Sequence, residues 1–189
     1  AVPDTAVLDC CESGSTLRFV LPIAGALGVD AAFVLAGRLP ERPLSPLWKE
    51  MERMGCVLTR PTANTIRCQG KLQAGEYRID GSVSSQFISG LLLALSLLDN
   101  ESKLEITGRI ESRPYIEMTV KAMELFGVNP ARLGGQTFRS PGLLTVEGDW
   151  SNAAFFLSAQ QLGSQLHITG LEPDSPQGDR AVVHLLPQL

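Results

Sequence analysis

The chain has 189 residues, 44% of them hydrophobic, with 16 Lys and Arg against 20 Asp and Glu for a formal charge of −4. That length supports one large domain or parts of two, and an acidic balance without a basic run excludes a nucleic-acid surface. The apolar run 90–98 is too short to cross a bilayer, so no membrane partner is expected, and no secretory signal is evident. Cys10, Cys11, Cys56 and Cys68 make no C-x-x-C pair, and only His167 and His184 accompany them. Reduced thiols of a cytoplasmic protein are expected rather than a zinc cluster. The chain opens at Ala1 without a methionine and stops at "HLLPQL" in what reads as mid-helix, so a fragment is expected.

In chain order, "AVLDC" (6–10) predicts a short strand that runs into the helix start Ser13-Gly14-Ser15 and an apolar helix. "DAAFVLAG" (30–37) predicts a second strand. An amphipathic helix is expected over "RPLSPLWKEMERMG" (42–55), with proline one step inside its start and Gly55 at its left-handed end. Strands such as "TIRCQG" (65–70) complete a β-α-β-α-β-β unit. The order then starts again with "EYRIDG" (76–81), followed by Ser84-Ser85-Gln86 and "SGLLLALSLL" (89–98), apolar nearly all round and therefore a buried helix. "SKLEITG" (102–108) and "RPYIEMTVKAMELFG" (113–127) follow, closed by Gly127. A third, partial copy places strands at "LLTVEG" (143–148) and "QLHITG" (165–170), with Asp149 capping the helix that "DWSNAAFF" begins. Leu47, Trp48, Met51, Met54, Met118, Met123, Leu125 and Phe126 are expected in the core.

The repeat is literal. "LAGRLPERP" (35–43) and "ITGRIESRP" (106–114) align without gaps, with Gly, Arg, Arg and Pro in the same places, and "SGS" (13–15) faces "SSQ" (84–86) at the same offset. Three polar groups therefore recur: the hydroxyl-rich helix starts, Arg42 and Arg113 before proline, and Glu41 or Ser112 just ahead of them. A helix start offers unpaired N–H donors and about half a positive charge. Serine hydroxyls add donors, and a guanidinium adds a planar fork for phosphate or carboxylate. Together they describe a site for a small phosphorylated or carboxylated molecule. Singly, each has an ordinary reading, the serine as a cap and the arginine as a solvated charge. Three serines and a glutamine in "SVSSQF" exceed what capping requires.

"ESGSTLRF" (12–19), "GRLPERPLSPL" (37–47), "DGSVSSQF" (80–87), "SRPYIEMT" (112–119) and "VEGDWSNAAFFL" (146–157) together resemble the 3-phosphoshikimate 1-carboxyvinyltransferase (EPSP synthase) family. The resemblance implies an α/β fold of repeated βαβαββ units, the inside-out α/β barrel of the enolpyruvyl transferases, here incomplete. Residues 1–146 would be the second and third units of the N-terminal domain, 147–149 a hinge, and 150–189 the start of the second domain. It also implies transfer of the enolpyruvyl group of phosphoenolpyruvate to the 5-hydroxyl of shikimate 3-phosphate, on the route to chorismate and the aromatic amino acids, by a cytoplasmic, monomeric enzyme that glyphosate inhibits. No metal or organic cofactor is implied. Ser84, Ser85, Gln86, Ser112 and Tyr115 would hold shikimate 3-phosphate, and Gly14, Arg42 and Gln86 phosphoenolpyruvate.

The family's acid–base residues are expected outside this chain, so Glu147, Asp149 and Asp179 take no such role and no turnover is expected from the chain alone. Glu12, Cys11 and Ser15 stand where the family often has Asn, Gly and Thr. The stretch 128–138 is shorter than usual, so an edge strand is expected to be missing. Two alternatives are a non-catalytic small-anion binding module of the same fold and a UDP-N-acetylglucosamine enolpyruvyl transferase. The second carries a reactive cysteine loop that none of the four cysteines here matches.

Overall fold

β1 (Thr5–Asp9) and β2 (Asp30–Val34) pair in parallel, from Thr5 opposite Asp30 to Asp9 opposite Val34. A parallel pair needs a crossover, and α1 (Gly14–Leu27) supplies it. Ser13 caps its start, and Gly28 ends it at φ 70, a left-handed conformation that glycine adopts without steric cost. α2 (Leu47–Arg53) follows, then a hairpin of β3 (Cys56–Thr62) and β4 (Thr65–Gly70). β4 pairs antiparallel with β2, so the sheet order is β1-β2-β4-β3 and the first βαβαββ unit is complete.

This computed structural model describes residues 2–186, in two compact units divided between Ser140 and Pro141. Within the first unit, the second repeat comprises β5 (Glu76–Asp80), α3 (Ser85–Ser96), β6 (Lys103–Thr107) and α4 (Arg113–Leu125), with β5 and β6 in a parallel two-stranded sheet. No hairpin follows α4. The short 128–138 stretch turns back instead, where the Ser102 N–H donates to the Leu133 carbonyl (2.6 Å) and the Gly135 N–H to that of Leu98 (2.7 Å).

One apolar core runs through both repeats, with Leu21, Phe33, Met51, Ile66, Tyr77 and Phe87 fully enclosed. α3 is buried along most of its length, as its composition requires, and packs closely on α1. Gly90 permits that approach, because a Cβ there would collide with the Arg18 carbonyl oxygen and stand 3.0 Å from Pro22 Cγ. Pro22 lies inside α1 and has no N–H to give that carbonyl, four residues earlier. The close approach therefore falls at a gap in the helical ladder.

Two expectations fail in this unit. The helix expected from Arg42–Pro43 begins only at Leu47, after a 3-10 turn over Leu39–Glu41. A residue before proline is disfavoured in the helical region, and the second proline, Pro46, delays the helix past it. Leu125 is exposed at the end of α4, whereas Leu47, Met51, Met54 and Met123 are buried and Trp48, Met118 and Phe126 half-buried. α4 turns one narrow stripe inward, and Leu125 lies off it.

The second unit holds α5 (Trp150–Gln161), a 3-10 turn over Gly178–Ala181 and the single turn α6 (Val182–Leu185). Asp149 caps α5, accepting from the N–H groups of Ser151 (2.8 Å) and Asn152 (3.4 Å). The strands expected at 143–148 and 165–170 do not form. The two segments meet through the Gly148 N–H and the Gly170 carbonyl (2.7 Å), but Leu143, Val146 and Leu166 are exposed, so the pair lacks the packed apolar face that holds β5 and β6 together. Of "HLLPQL", α6 takes in His184 and Leu185, and residues 187–189 lie outside the described residues. Among the described residues no helix is long and apolar enough to cross a membrane, and no cluster of His, Cys, Asp and Glu could hold a metal ion.

Candidate functional site

Parallel pairing sends the carboxyl ends of β1 and β2 the same way, and likewise those of β5 and β6, and the loops that carry the repeated polar groups leave from those ends. Each repeat turns into its helix by the same device. Asp9 Oδ1 accepts the Cys11 N–H (2.8 Å), and at the equivalent place Asp80 Oδ1 accepts the Ser82 N–H (2.8 Å) and hydroxyl (2.7 Å). Those two bonds to Ser82 hold the Asp80 carboxyl below its ordinary pKa. Cys11 adopts φ 45, a left-handed conformation that favours glycine. Glu12 folds over Gly37, where a Cβ would strike its carboxylate.

The helix starts follow. Ser13 Oγ accepts the Thr16 N–H (3.1 Å) and hydroxyl (2.8 Å), and Ser84 Oγ accepts the Gln86 N–H at a longer 3.3 Å. Ser85 is buried in the first turn of α3. Ser112, at φ 54, precedes α4 and makes no side-chain cap bond. The Glu111 N–H donates to the Gly81 carbonyl (3.1 Å), which sets the loop before Ser112 beside the loop before Ser84.

Gly14 is buried at the first position of α1. A Cβ on it would lie 3.2 Å from Arg42 Nη1 and 3.7 Å from Arg18 Nη1, so two guanidinium groups converge on its bare α-carbon. Arg18 Nη1 donates to Gln86 Oε1 (2.7 Å), and Gln86 Nε2 donates to Ser15 Oγ (2.8 Å). The Arg18 guanidinium lies over the Phe87 ring, 5.2 Å from its centroid, and Nη2 donates to the Pro43 carbonyl (3.4 Å). Burial, then the nearby Arg42 charge, lower the Arg18 pKa.

Between α1, α3 and α4 lies a cavity of about 370 Å³ whose wall includes Ser15, Gln86, Ser89, Tyr115, Thr119 and Ala122. The Thr119 hydroxyl donates to Ser89 Oγ (2.7 Å). Arg42 faces a separate groove of about 380 Å³ with Trp48 and Arg60. The structure therefore brings Gln86 and Tyr115 together in one cavity and Gly14 under Arg42. Ser84, Ser85 and Ser112 stand at the adjoining helix starts, outside the cavity wall.

The carboxylates set aside as acid–base candidates are engaged otherwise. Asp149 caps α5, Glu147 accepts the Ser175 hydroxyl (3.0 Å), and Asp179 accepts the Ser151 hydroxyl. Sequence reasoning missed Arg18. Its signal was available, because Arg18 is the one charged residue in the apolar segment Gly14–Leu27.

A family model described as EPSP synthase (3-phosphoshikimate 1-carboxyvinyltransferase) matches residues 1–189. The chain is similar to the 3-phosphoshikimate 1-carboxyvinyltransferase of Clostridium beijerinckii, at 39% identity over all of this chain and 45% of that protein. A relative of the same name from Clostridium kluyveri is 40% identical over 94% of this chain and 43% of its own length. Among solved structures, EPSP synthase from Acinetobacter baumannii superposes with a TM-score of 0.62 at 23% identity, covering 83% of this chain and 36% of that one, a likeness of fold. The chain thus spans less than half the length of the curated relatives it matches. With the match running from the first residue to the last, the chain belongs to the EPSP synthase family.

Proposed function

We propose that this chain forms one part of an enzyme that moves the enolpyruvyl group of phosphoenolpyruvate to the 5-hydroxyl of shikimate 3-phosphate. In this reading Ser84, Ser85 and Ser112 hold the phosphate of shikimate 3-phosphate, Gln86 its ring hydroxyls, and Tyr115 the ring. Gly14, Arg42 and Gln86 form this chain's share of the phosphoenolpyruvate site, and glyphosate would occupy that share. Residues 1–146 belong to one domain, 147–149 to a hinge and 150–189 to the next domain, and the whole protein works as a cytoplasmic monomer.

The observation that carries the reading is the convergence of two guanidinium groups on Gly14, beside a glutamine and two serine-capped helix starts at the ends of parallel strands. Both substrates are small multiply charged anions, and such donors are what they require. The chemistry adds the 5-hydroxyl oxygen to C2 of the enol as a base takes the hydroxyl proton and an acid protonates the methylene carbon. The tetrahedral adduct then loses phosphate while a base removes a proton from the new methyl group, restoring the double bond. It needs an acid and a base, and the carboxylates that the sequence offered are engaged structurally. Turnover by this chain alone is therefore not expected. A UDP-N-acetylglucosamine transferase finds less support. Cys10, Cys56 and Cys68 are buried, and the charge and hydrogen bond of Asp9 raise the pKa of the exposed Cys11 thiol, against thiolate reactivity.

Amide-shift NMR of this chain with shikimate 3-phosphate tests the reading. A few charge-assisted bonds of roughly 1.5–3 kcal/mol each work against an association cost of at least about 4 kcal/mol, so a Kd near millimolar is expected. Shifts should cluster at 84–86 and 112–115. Shifts confined to other faces, or phosphate release by this chain with both substrates, would overturn it.

A further inference from the structure

We propose that Arg18 is a positioning residue for Gln86, fixing which end of the Gln86 amide faces the cavity. The inference rests on the reading of Gln86 as a substrate ligand. Arg18 is not part of the cavity wall; it stands behind Gln86 on α1. A guanidinium has donors and no acceptor, so the amide must turn its oxygen towards Arg18, as the 2.7 Å bond records. That leaves Nε2 facing Ser15 and the cavity. One of its protons goes to Ser15 Oγ, and with Gln86 lining the cavity the other is free to donate to an acceptor oxygen on whatever occupies it. The site thereby selects a ligand atom with a lone pair, such as a hydroxyl, carboxylate or phosphate oxygen.

The surroundings of Arg18 fit this role beside its approach to Gly14. Its hydrogen bonds go to neutral oxygens, those of Gln86 and Pro43, and among the described residues it has no carboxylate partner. Nε is buried without a hydrogen bond, and the plane is braced against Phe87, the residue after Gln86. A guanidinium held this way, with another charge converging beside it, is placed for direction rather than for a surface ion pair. Through Pro43 and Gln86 it also ties the loop that carries Arg42 to the start of α3, joining the two proposed substrate subsites through one side chain.

The experiment is NMR on the 189-residue chain with Arg18→Met, Arg18→Lys and Gln86→Glu. In the unaltered chain the Gln86 side-chain NH2 should give two separated resonances with a heteronuclear NOE close to backbone values. In Arg18→Met that NOE falls and the resonances converge, and shikimate 3-phosphate binding weakens by about tenfold, the worth of one hydrogen bond. Arg18→Lys, which keeps the charge and one donor, restores part of both, and it serves as the test should Arg18→Met unfold. Gln86→Glu keeps its acceptor towards Arg18 but loses the N–H donor, so it should hold its melting temperature and lose ligand shifts at 84–86. An unchanged Gln86 amide in both Arg18 variants overturns the inference, whatever the ligand does. No shift with shikimate 3-phosphate in the unaltered chain, beside an Arg18-dependent amide, overturns the substrate reading instead.

Discussion

The first two repeats are built on one frame and differ where they face each other. Asp9 and Asp80 make the same turn, Ser13 and Ser84 the same cap, and Gly37 and Gly108 the same left-handed bend, at φ 54 and 69. At equivalent helical positions, however, the first repeat has Arg18 and Glu50 where the second has Ser89 and Ala122. Both charged residues reach into the second repeat. Arg18 donates to Gln86, and Glu50 accepts the Arg78 N–H while paired with Arg53 (2.7 Å). Their small counterparts line the cavity. The first repeat supplies the ties and the second most of the open wall, with Ser15 completing it, so departure from the repeat makes the site.

The comparison can be broken most severely at Gly90, the counterpart of Phe19. Gly90→Ala should drive α1 and α3 apart and cost about 3 kcal/mol in denaturant unfolding; a loss below about 1 kcal/mol would show that the contact has room. Glu50→Gln, which removes the second tie, should cost about 2 kcal/mol, the scale of a hydrogen bond to a charged group. It should also alter the acid limb. Burial pushes the Glu50 carboxyl up, but the Arg53 pairing and the Arg78 N–H outweigh it and hold the pKa below the ordinary value. A depressed folded pKa stabilises fully above the unfolded value, about 4.3, and that contribution is lost as pH falls through the folded value. Unfolding midpoints measured on acidification should fall less steeply in Glu50→Gln.

Smaller effects sharpen the same contrast. Ser13→Ala should cost about 1 kcal/mol and Ser84→Ala nearer 0.5 kcal/mol, because the Ser84 cap is the longer bond; equal losses in thermal unfolding would contradict that difference. Gly14→Ala should change stability by less than about 0.5 kcal/mol. Its Cβ, 3.2 Å from Arg42 Nη1, should displace that guanidinium and shift the Arg42 Nε–H resonance.

Much of this molecule was legible along the chain. The repeat, the serine caps, most strands before residue 108 (not β3), the buried α3 and the family all follow from short-range pattern, because a cap, a turn or an apolar face is set by residues within a few positions of one another. The recurring serines, arginines and glutamine of the site were legible for the same reason. What the pattern could not settle depended on partners. "LLTVEG" and "QLHITG" read as strands by composition, yet a strand exists only where another completes its ladder. Leu125 needed a neighbouring surface to be buried, and Arg18 gained its role only when α3 placed Gln86, 68 residues along the chain, against it. Local chemistry chose the elements; which side chains meet was decided by packing between repeats, which no single segment encodes.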